Sequence, residues 1–325
     1  MKVMNIVNAI NNALDIKLND DPNVVTYGED VGVEGGVFRV TEGLQKKYGE
    51  HRVWDSPLAE SGIVGTAVGM AAAGMRPVVE MQFSGFVYPG FNQIATHVAR
   101  MYNRSRGKYK MQMVIRMPYG GGINALEHHS ESQEVLFAHL QGLKVVIPST
   151  PNDAKGLLIS AIESDDPIIF MEPKKIYRAI KQEVPEEKFT IPIGKAKLLQ
   201  SGDNLTIVTY GAMVRETQRA LTIAKESGIT ADLIDLRTIY PIDKETIITS
   251  VKKTGRIVIV TEDNTAFGVA SEIISIVNEE AFLHLEAPPK RVSTFDIIIP
   301  LPKCEHFYMH SPEKIFFEIE KTVKY

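Results

Sequence analysis

The chain has 325 residues, a formal net charge of -4 and a pI near 6.1. It is long enough for two domains with separate cores, and the charge balance gives no reason to expect nucleic acid or an anionic membrane as partner. Cys304 is the lone cysteine, which excludes an intrachain disulfide and a cysteine-built metal cluster, and it is read as an ordinary thiol despite the nearby His306. The opening Met1-Lys2-Val3-Met4-Asn5 leads into polar and apolar alternation, and Gly and Ala break the longest apolar run. No signal peptide or membrane span is therefore expected, and the protein is read as cytoplasmic.

In chain order, Ile6, Val7, Ile10, Leu14 and Leu18 form one helical stripe within Met4 to Leu18, closed by Asn19-Asp20-Asp21-Pro22. Val24 to Tyr27 reads as a buried strand running into Gly28-Glu29-Asp30-Val31-Gly32. Loops at the carboxyl ends of parallel strands are where ligands bind, so Glu29 is a site candidate; a plain turn with solvated acids is the alternative. After Gly35-Gly36 and a helix to about Tyr48 comes Trp54 to Gly65. There Glu60 opens a run, Ser61 to Gly74, with no charge until Arg76. This run is expected to be a buried helix with a thin face at Gly65, Gly69 and Ala73. A carboxylate in that apolar setting has its charged form disfavoured, which suits proton exchange near neutral pH. A helix-capping glutamate without chemistry remains the other reading.

Pro77 to Phe83 is the next strand, followed by the aromatic loop Ser84 to Pro89, a helix Phe91 to Tyr102 and a strand Met111 to Met117. Lys144 to Ile147 and Ile168 to Met171 are further strands, with the helix Pro151 to Glu163 between them. Such alternation indicates a parallel α/β sheet. The charged, proline-bearing stretch Lys181 to Gly202 marks a boundary, giving a first domain at 1–185, a linker at 186–200 and a second, smaller α/β domain at 201–325. The second block has strands at Leu205 to Tyr210, Ala231 to Leu236 and Ile257 to Thr261, with helices Val214 to Lys225, Lys244 to Lys253 and Ala270 to Glu280.

Neither Gly-x-Gly-x-x-Gly after a strand nor Gly-x-x-x-x-Gly-Lys-[Ser/Thr] occurs, and Gly35-Gly36 and Gly120 to Gly122 are weak substitutes for a phosphate cradle. The densest polar cluster is Glu127-His128-His129-Ser130-Glu131-Ser132-Gln133-Glu134. His128 and His129 point apart on a helix or a strand, so the cluster lacks a metal-binding pair, and no metal ligand is assigned. A histidine carried by a loop at a site mouth as donor or proton carrier is one reading, and a solvated helix start is the other. Phe86 and Tyr88, just past a strand end, could be core aromatics or a platform for a planar ring with a basic nitrogen.

Ordered matches run the length of the chain. They are Tyr27-Gly28-Glu29-Asp30-Val31-Gly32, Asp55 to Gly65, Glu80-Met81-Gln82-Phe83, His129-Ser130, Lys144 to Pro148, Asp153 to Leu158, Tyr210 to Val214 and Asp235-Leu236-Arg237-Thr238. On these residues the chain resembles the beta subunit of the decarboxylating first component of 2-oxo acid dehydrogenase complexes, of the pyruvate or branched-chain type. The resemblance implies a transketolase-like pyrimidine-binding domain followed by a transketolase C-terminal-like domain, with thiamine diphosphate as cofactor. It implies that Glu60 hydrogen-bonds the aminopyrimidine ring nitrogen and favours its imino tautomer. It further implies that Phe86 lies against the pyrimidine, that Glu29, Leu58 and Gln82 line its pocket, and that His129 works near the substrate and the incoming lipoyl group. The segment Ala161 to Asp166 departs from the family's cation-binding Asp-x-Asn, so no monovalent cation is assigned.

The family's Gly-Asp-Gly motif, which binds the diphosphate and Mg2+ on the alpha subunit, is absent here. The resemblance therefore implies a chain active only with an alpha subunit, in a heterotetramer of two alpha and two beta chains. Such a particle decarboxylates a small 2-oxo acid and transfers the acyl group to a lipoylated dihydrolipoyl acyltransferase. An acetoin dehydrogenase beta subunit and a non-catalytic scaffold for an alpha chain are the alternatives.

Overall fold

The computed structural model describes residues 1–325. The chain begins with β1 (Lys2–Met4) and α1 (Ile6–Asp20), the latter capped by the Asn5 side chain, which accepts from the Asn8 amide. Next come β2 (Val24–Gly28), α2 (Leu44–Tyr48), β3 (Val53–Asp55), α3 (Glu60–Ala72), β4 (Arg76–Glu80), α4 (Tyr88–Gln93) and α5 (Met101–Arg104). They are followed by β5 (Val114–Tyr119), α6 (Glu134–Ala138), β6 (Lys144–Val146), α7 (Pro151–Glu163), β7 (Ile168–Pro173) and β8 (Gln182–Val184). The remainder comprises β9 (Lys197–Gln200), β10 (Leu205–Thr209), α8 (Ala212–Glu226), β11 (Ala231–Asp235), β12 (Thr238–Tyr240), α9 (Lys244–Thr254) and β13 (Ile257–Asn264). It closes with α10 (Val269–Ala281), β14 (Lys290–Thr294), α11 (Pro302–Tyr308) and α12 (Pro312–Val323).

Seven strands form the first sheet in the order β12-β6-β7-β5-β4-β2-β3, parallel throughout except for β12. Every residue of β2, β5 and β7 is buried, as expected of central strands covered by helices on both faces. A second, five-stranded sheet runs β14-β13-β10-β11-β9, with β9 antiparallel at its edge. The N-terminal β1 pairs antiparallel with β8.

The two sheets are locked together by the Asp235-Leu236-Arg237-Thr238 segment. Ser149 donates its hydroxyl to Asp235 and Arg237 Nη2 donates to Asp153, so residues just past β11 grip the start of α7, where Thr150 caps the helix through the Asp153 amide. Arg237 takes φ +58°, a left-handed turn that carries the chain into β12 beside β6. A strand that follows β11 in sequence thus completes the first sheet.

Several elements differ from the sequence expectation: β5 begins at Val114 rather than Met111, and β9 lies within the stretch 186–200 expected to be a linker. The Glu60 to Ala72 helix is only half buried. Ile63, Val64, Ala67 and Ala71 pack inward, while Ser61, Gly62, Thr66 and Gly69 are exposed, because nothing in this chain covers the small-residue face. The helix expected over Phe91 to Tyr102 is instead three pieces: α4, a π-turn at Ile94–Val98, and α5 after Arg100. The strand expected at Pro77 to Phe83 ends at Glu80, freeing Met81 to Phe83 for the aromatic loop.

Candidate active site

The parallel register sets the geometry. Gly28 at the end of β2 sits opposite Asp55 at the end of β3 and Glu80 at the end of β4. The residues that follow these strand ends, Glu29, Ser56 to Glu60 and Met81 to Phe86, therefore emerge together at the carboxyl edge of the sheet, where open parallel sheets bind ligands. The loop bearing His129 follows β5, the next strand over.

Glu29 and Glu60 are both buried, at 9% and 8% exposure. Burial, and then the neighbouring charges of Glu60 and Asp30, raise the Glu29 carboxyl above its ordinary range. Glu29 therefore holds a proton more readily than a surface acid does. The first turn of α3, which carries Glu60, is fixed from below: the Tyr27 hydroxyl donates to the Ile63 carbonyl at 2.9 Å, and the Tyr27 ring stacks on Trp54 at 4.5 Å. It is also fixed from the side, where a Cβ at Gly90 of α4 would stand only 3.1 Å from the Glu60 carbonyl oxygen.

The aromatic loop forms a second wall. Phe83 contacts Phe38 and Phe86, each with ring centroids 5.4 Å away, and the His129 ring at 4.6 Å. Phe86 meets His129 edge-on at 5.0 Å. Gly85 permits this approach, since a Cβ there would strike the backbone oxygen of His128. The Nδ1 atom of His129 is buried without a hydrogen-bond partner. His128 points elsewhere, its Nδ1 lying 3.1 Å from Glu131, and the Tyr88 hydroxyl donates to Glu131 at 2.9 Å. No group of three or more His, Cys, Asp or Glu side chains is arranged to hold a metal ion.

Of the residues singled out in the sequence, the structure gathers Phe86 and His129 in one cluster and Glu29 and Glu60 in one electrostatic pair. Gln82 is half-buried and donates to Asp30 Oδ2 at 2.9 Å, closing the gap between the β4 and β2 ends. Leu58 is 80% exposed.

Several supporting residues lie outside the set of candidate site residues. Asp55 accepts from the amides of Gly32 and Val33, fastening the loop after β2. Beneath the aromatic loop lies a buried ion triad. Arg116 Nε and Nη2 donate to both oxygens of Glu172 at 2.7 and 3.0 Å, and Nη1 donates to Glu80 at 2.8 Å. Burial works against the Arg116 charge, but Glu172 and Glu80 outweigh it and hold the guanidinium protonated. A Glu at the end of an otherwise apolar strand, as in Val78-Val79-Glu80, is the one hint of such pairing, because buried charge requires a partner.

The loop from Gly120 to Gln133 is tied to the second sheet's domain. Glu262 of β13 accepts from the Gly121 amide, and Glu305 of α11 accepts from the amides of Gly122 and Asn124, each at 2.7 Å. A cavity of about 500 Å³ opens beside this contact, lined among others by Tyr88, Glu131, Glu262, Asp296 and Tyr308. Cavities of similar size at Val98 to Arg104 (540 Å³) and at Tyr240 to Ile242 (570 Å³) include none of the residues of the carboxyl-edge site.

Residues 2–180 match the family described as transketolase, pyrimidine binding domain, and residues 194–315 match transketolase, C-terminal domain. The chain is 56% identical to the pyruvate dehydrogenase E1 component subunit beta of Acholeplasma laidlawii, covering 100% of this chain and 99% of that one. It is 47% identical to the protein of that name from Bacillus subtilis strain 168, with both chains covered completely at 100%. Among solved structures, a split-gene transketolase described as an inactive beta4 tetramer superposes with a TM-score of 0.82 at 20% identity, covering 99% of this chain and 98% of the other. A transketolase from Pichia stipitis gives 0.70 at 15% identity over 100% of this chain and 46% of the other, and both likenesses establish the fold.

Proposed function

Because the chain belongs to the family of pyruvate dehydrogenase E1 component beta subunits, we propose that it is the beta chain of a thiamine diphosphate-dependent 2-oxo acid dehydrogenase acting on pyruvate. The observation that carries this reading is the buried Glu29 and Glu60 pair at the carboxyl edge of β3, β2 and β4, next to a strand end that leads into Phe83 and Phe86. Such a site suits a flat heteroaromatic ring with a basic nitrogen, and the His129 imidazole, packed against Phe83 and Phe86, lies on the neighbouring loop.

In this role Glu60 holds a proton at its carboxyl oxygen and shares it with the ring nitrogen of the pyrimidine. Glu29 keeps a second acid beside it, so that ionising both is disfavoured. Phe86 and Phe83 keep water from one side of the site and fix the plane of the His129 ring. His129 offers its imidazole to the reacting part of the substrate as donor or proton carrier. When bound, thiamine diphosphate supplies a nucleophilic carbon and an electron sink for loss of CO2.

The absence of Gly-Asp-Gly from the sequence supports an alpha subunit that holds the diphosphate and Mg2+, in an assembly of two alpha and two beta chains. Acyl transfer to the lipoyl group of a dihydrolipoyl acyltransferase completes the reaction. The relatives' names favour pyruvate over branched 2-oxo acids.

The test is an assay of the co-expressed alpha-beta complex with pyruvate, 3-methyl-2-oxobutanoate and acetoin, with and without thiamine diphosphate. The expected result is cofactor-dependent turnover with pyruvate preferred and none from the isolated chain. Preference for acetoin would identify the acetoin enzyme, and cofactor-independent turnover would contradict the reading.

A further inference from the structure

The run Gly120-Gly121-Gly122 looks in the sequence like a weak anion cradle, and the structure shows which anions it takes. Gly120 and Gly122 have φ of +83° and +81°, and the amides of Gly121, Gly122 and Asn124 turn toward carboxylates of the chain itself. Cβ atoms at Gly120 and Gly121 would meet Glu262 Oε1 at 2.6 Å and Glu305 Oε1 at 3.1 Å, so side chains there would displace the acids. Glu262 and Glu305 are 4% and 3% exposed. Lys174, also buried, faces both; burial pushes its amine down to about 7 against the pull of Glu262 and Glu305, and its Nζ lies 5.6 Å from the Phe83 ring centroid.

The same loop continues directly into the site. It passes through Asn124 at φ +56° and the single 3-10 turn Glu127–His129, which ends on the imidazole packed against Phe83 and Phe86. On the far side the loop is stitched to the first domain, where Gly120 donates to the Glu131 carbonyl at 2.9 Å and the Ser84 hydroxyl donates to that carbonyl at 3.1 Å. Only Glu305 bonds the loop between Gly122 and Asn124, and its two charge-assisted bonds are stronger than neutral ones.

We propose that Glu305, from the second domain, is a positioning residue for His129, with its carboxylate setting the course of the Gly122 to His129 loop. This rests on the placement of His129 in the reaction. The second domain thereby contributes to the site without touching substrate, and a shift of α11 moves the imidazole. Glu305→Gln leaves one acceptor oxygen and turns an NH2 toward an amide that needs an acceptor; Glu305→Asp keeps the charge on a shorter stem.

The experiment uses the co-expressed alpha-beta complex carrying E305Q, E305D, H129A and the E305Q/H129A double variant, read by amide hydrogen exchange over residues 120–133 and by pyruvate kinetics. E305Q is expected to speed exchange in that segment and to lower kcat on the order of tenfold to a hundredfold, the range for a misplaced reacting group, with KM little changed. E305D should recover part of the loss, and E305Q should cause no further loss on top of H129A. Unchanged exchange in both Glu305 variants would overturn the clamp. Equal fold losses from E305Q with and without His129 would overturn its action through that residue. Full turnover by H129A would instead remove the role of His129 itself, while the exchange data would still decide whether Glu305 holds the loop.

Discussion

The imidazole of His129 stands edge-on to the ring of Phe86, with centroids 5.0 Å apart and planes at 78°. Phe83 closes the other side at 4.6 Å. The ring orientation is therefore fixed by packing, since Nδ1 has no partner in the chain to fix it.

Phe83 is the keystone of that arrangement, touching Phe38, Phe86 and His129 and lying under the Lys174 amine. Phe83→Ala is expected to cost about 3–5 kcal/mol, the range for emptying a buried aromatic position. Denaturant unfolding checks this. Phe83→Leu, which fills much of the volume, should cost less and still weaken turnover by loosening His129.

The Arg116 triad gives a second test. Arg116→Met leaves Glu80 and Glu172 buried with no countercharge, and the expected loss is about 3–5 kcal/mol. The deficit should shrink as pH falls, because the Glu80 carboxyl, held above its ordinary range by burial, takes up a proton. Urea titrations of wild type and variant at pH 5 and pH 7 would show this convergence; parallel curves would contradict it.

A third expectation concerns Glu134, which is fully buried and accepts from the Tyr210 hydroxyl at 2.7 Å, while its Oε2 has no partner. Burial first, then the charge of Asp263, push its carboxyl from the ordinary 4.5 up to about 8. A folded-state value above the unfolded one means that the contribution is complete below the unfolded value and is lost as pH rises through about 8. Glu134→Gln keeps an oxygen for Tyr210 and removes the titration. Its stability relative to wild type should therefore rise with pH across that window, as measured by thermal midpoints between pH 4 and 9.

Much of this is legible in the sequence. The α7 boundaries follow from Thr150 and Pro151 at one end and Ser164 at the other, because capping is local chemistry. Glu29 and Glu60 stood out as acids at strand ends beside apolar runs. What stayed hidden depends on residues distant in sequence. The strand β12 has three residues, and its existence depends on an exposed edge of β6 about 90 positions earlier. The Arg116 triad spans β4, β5 and β7, and Gly85 matters only because the His128 backbone arrives against it. The exposed half of α3 is hidden for a different reason. Gly, Ser and Thr mark that face as thin but do not say whether this chain or another covers it.

The central claim is that a buried acid on this chain shares its proton with a cofactor ring. The direct measurement is pyruvate turnover and thiamine diphosphate binding by the co-expressed complex carrying Glu60→Gln, with assembly followed by size-exclusion chromatography and light scattering. The amide keeps the shape of the side chain but cannot hold the carboxyl proton. The account predicts an intact alpha-beta assembly whose turnover falls by at least about a hundredfold, as expected when a general acid-base group is removed. An assembly that turns over pyruvate at the wild-type rate would contradict it.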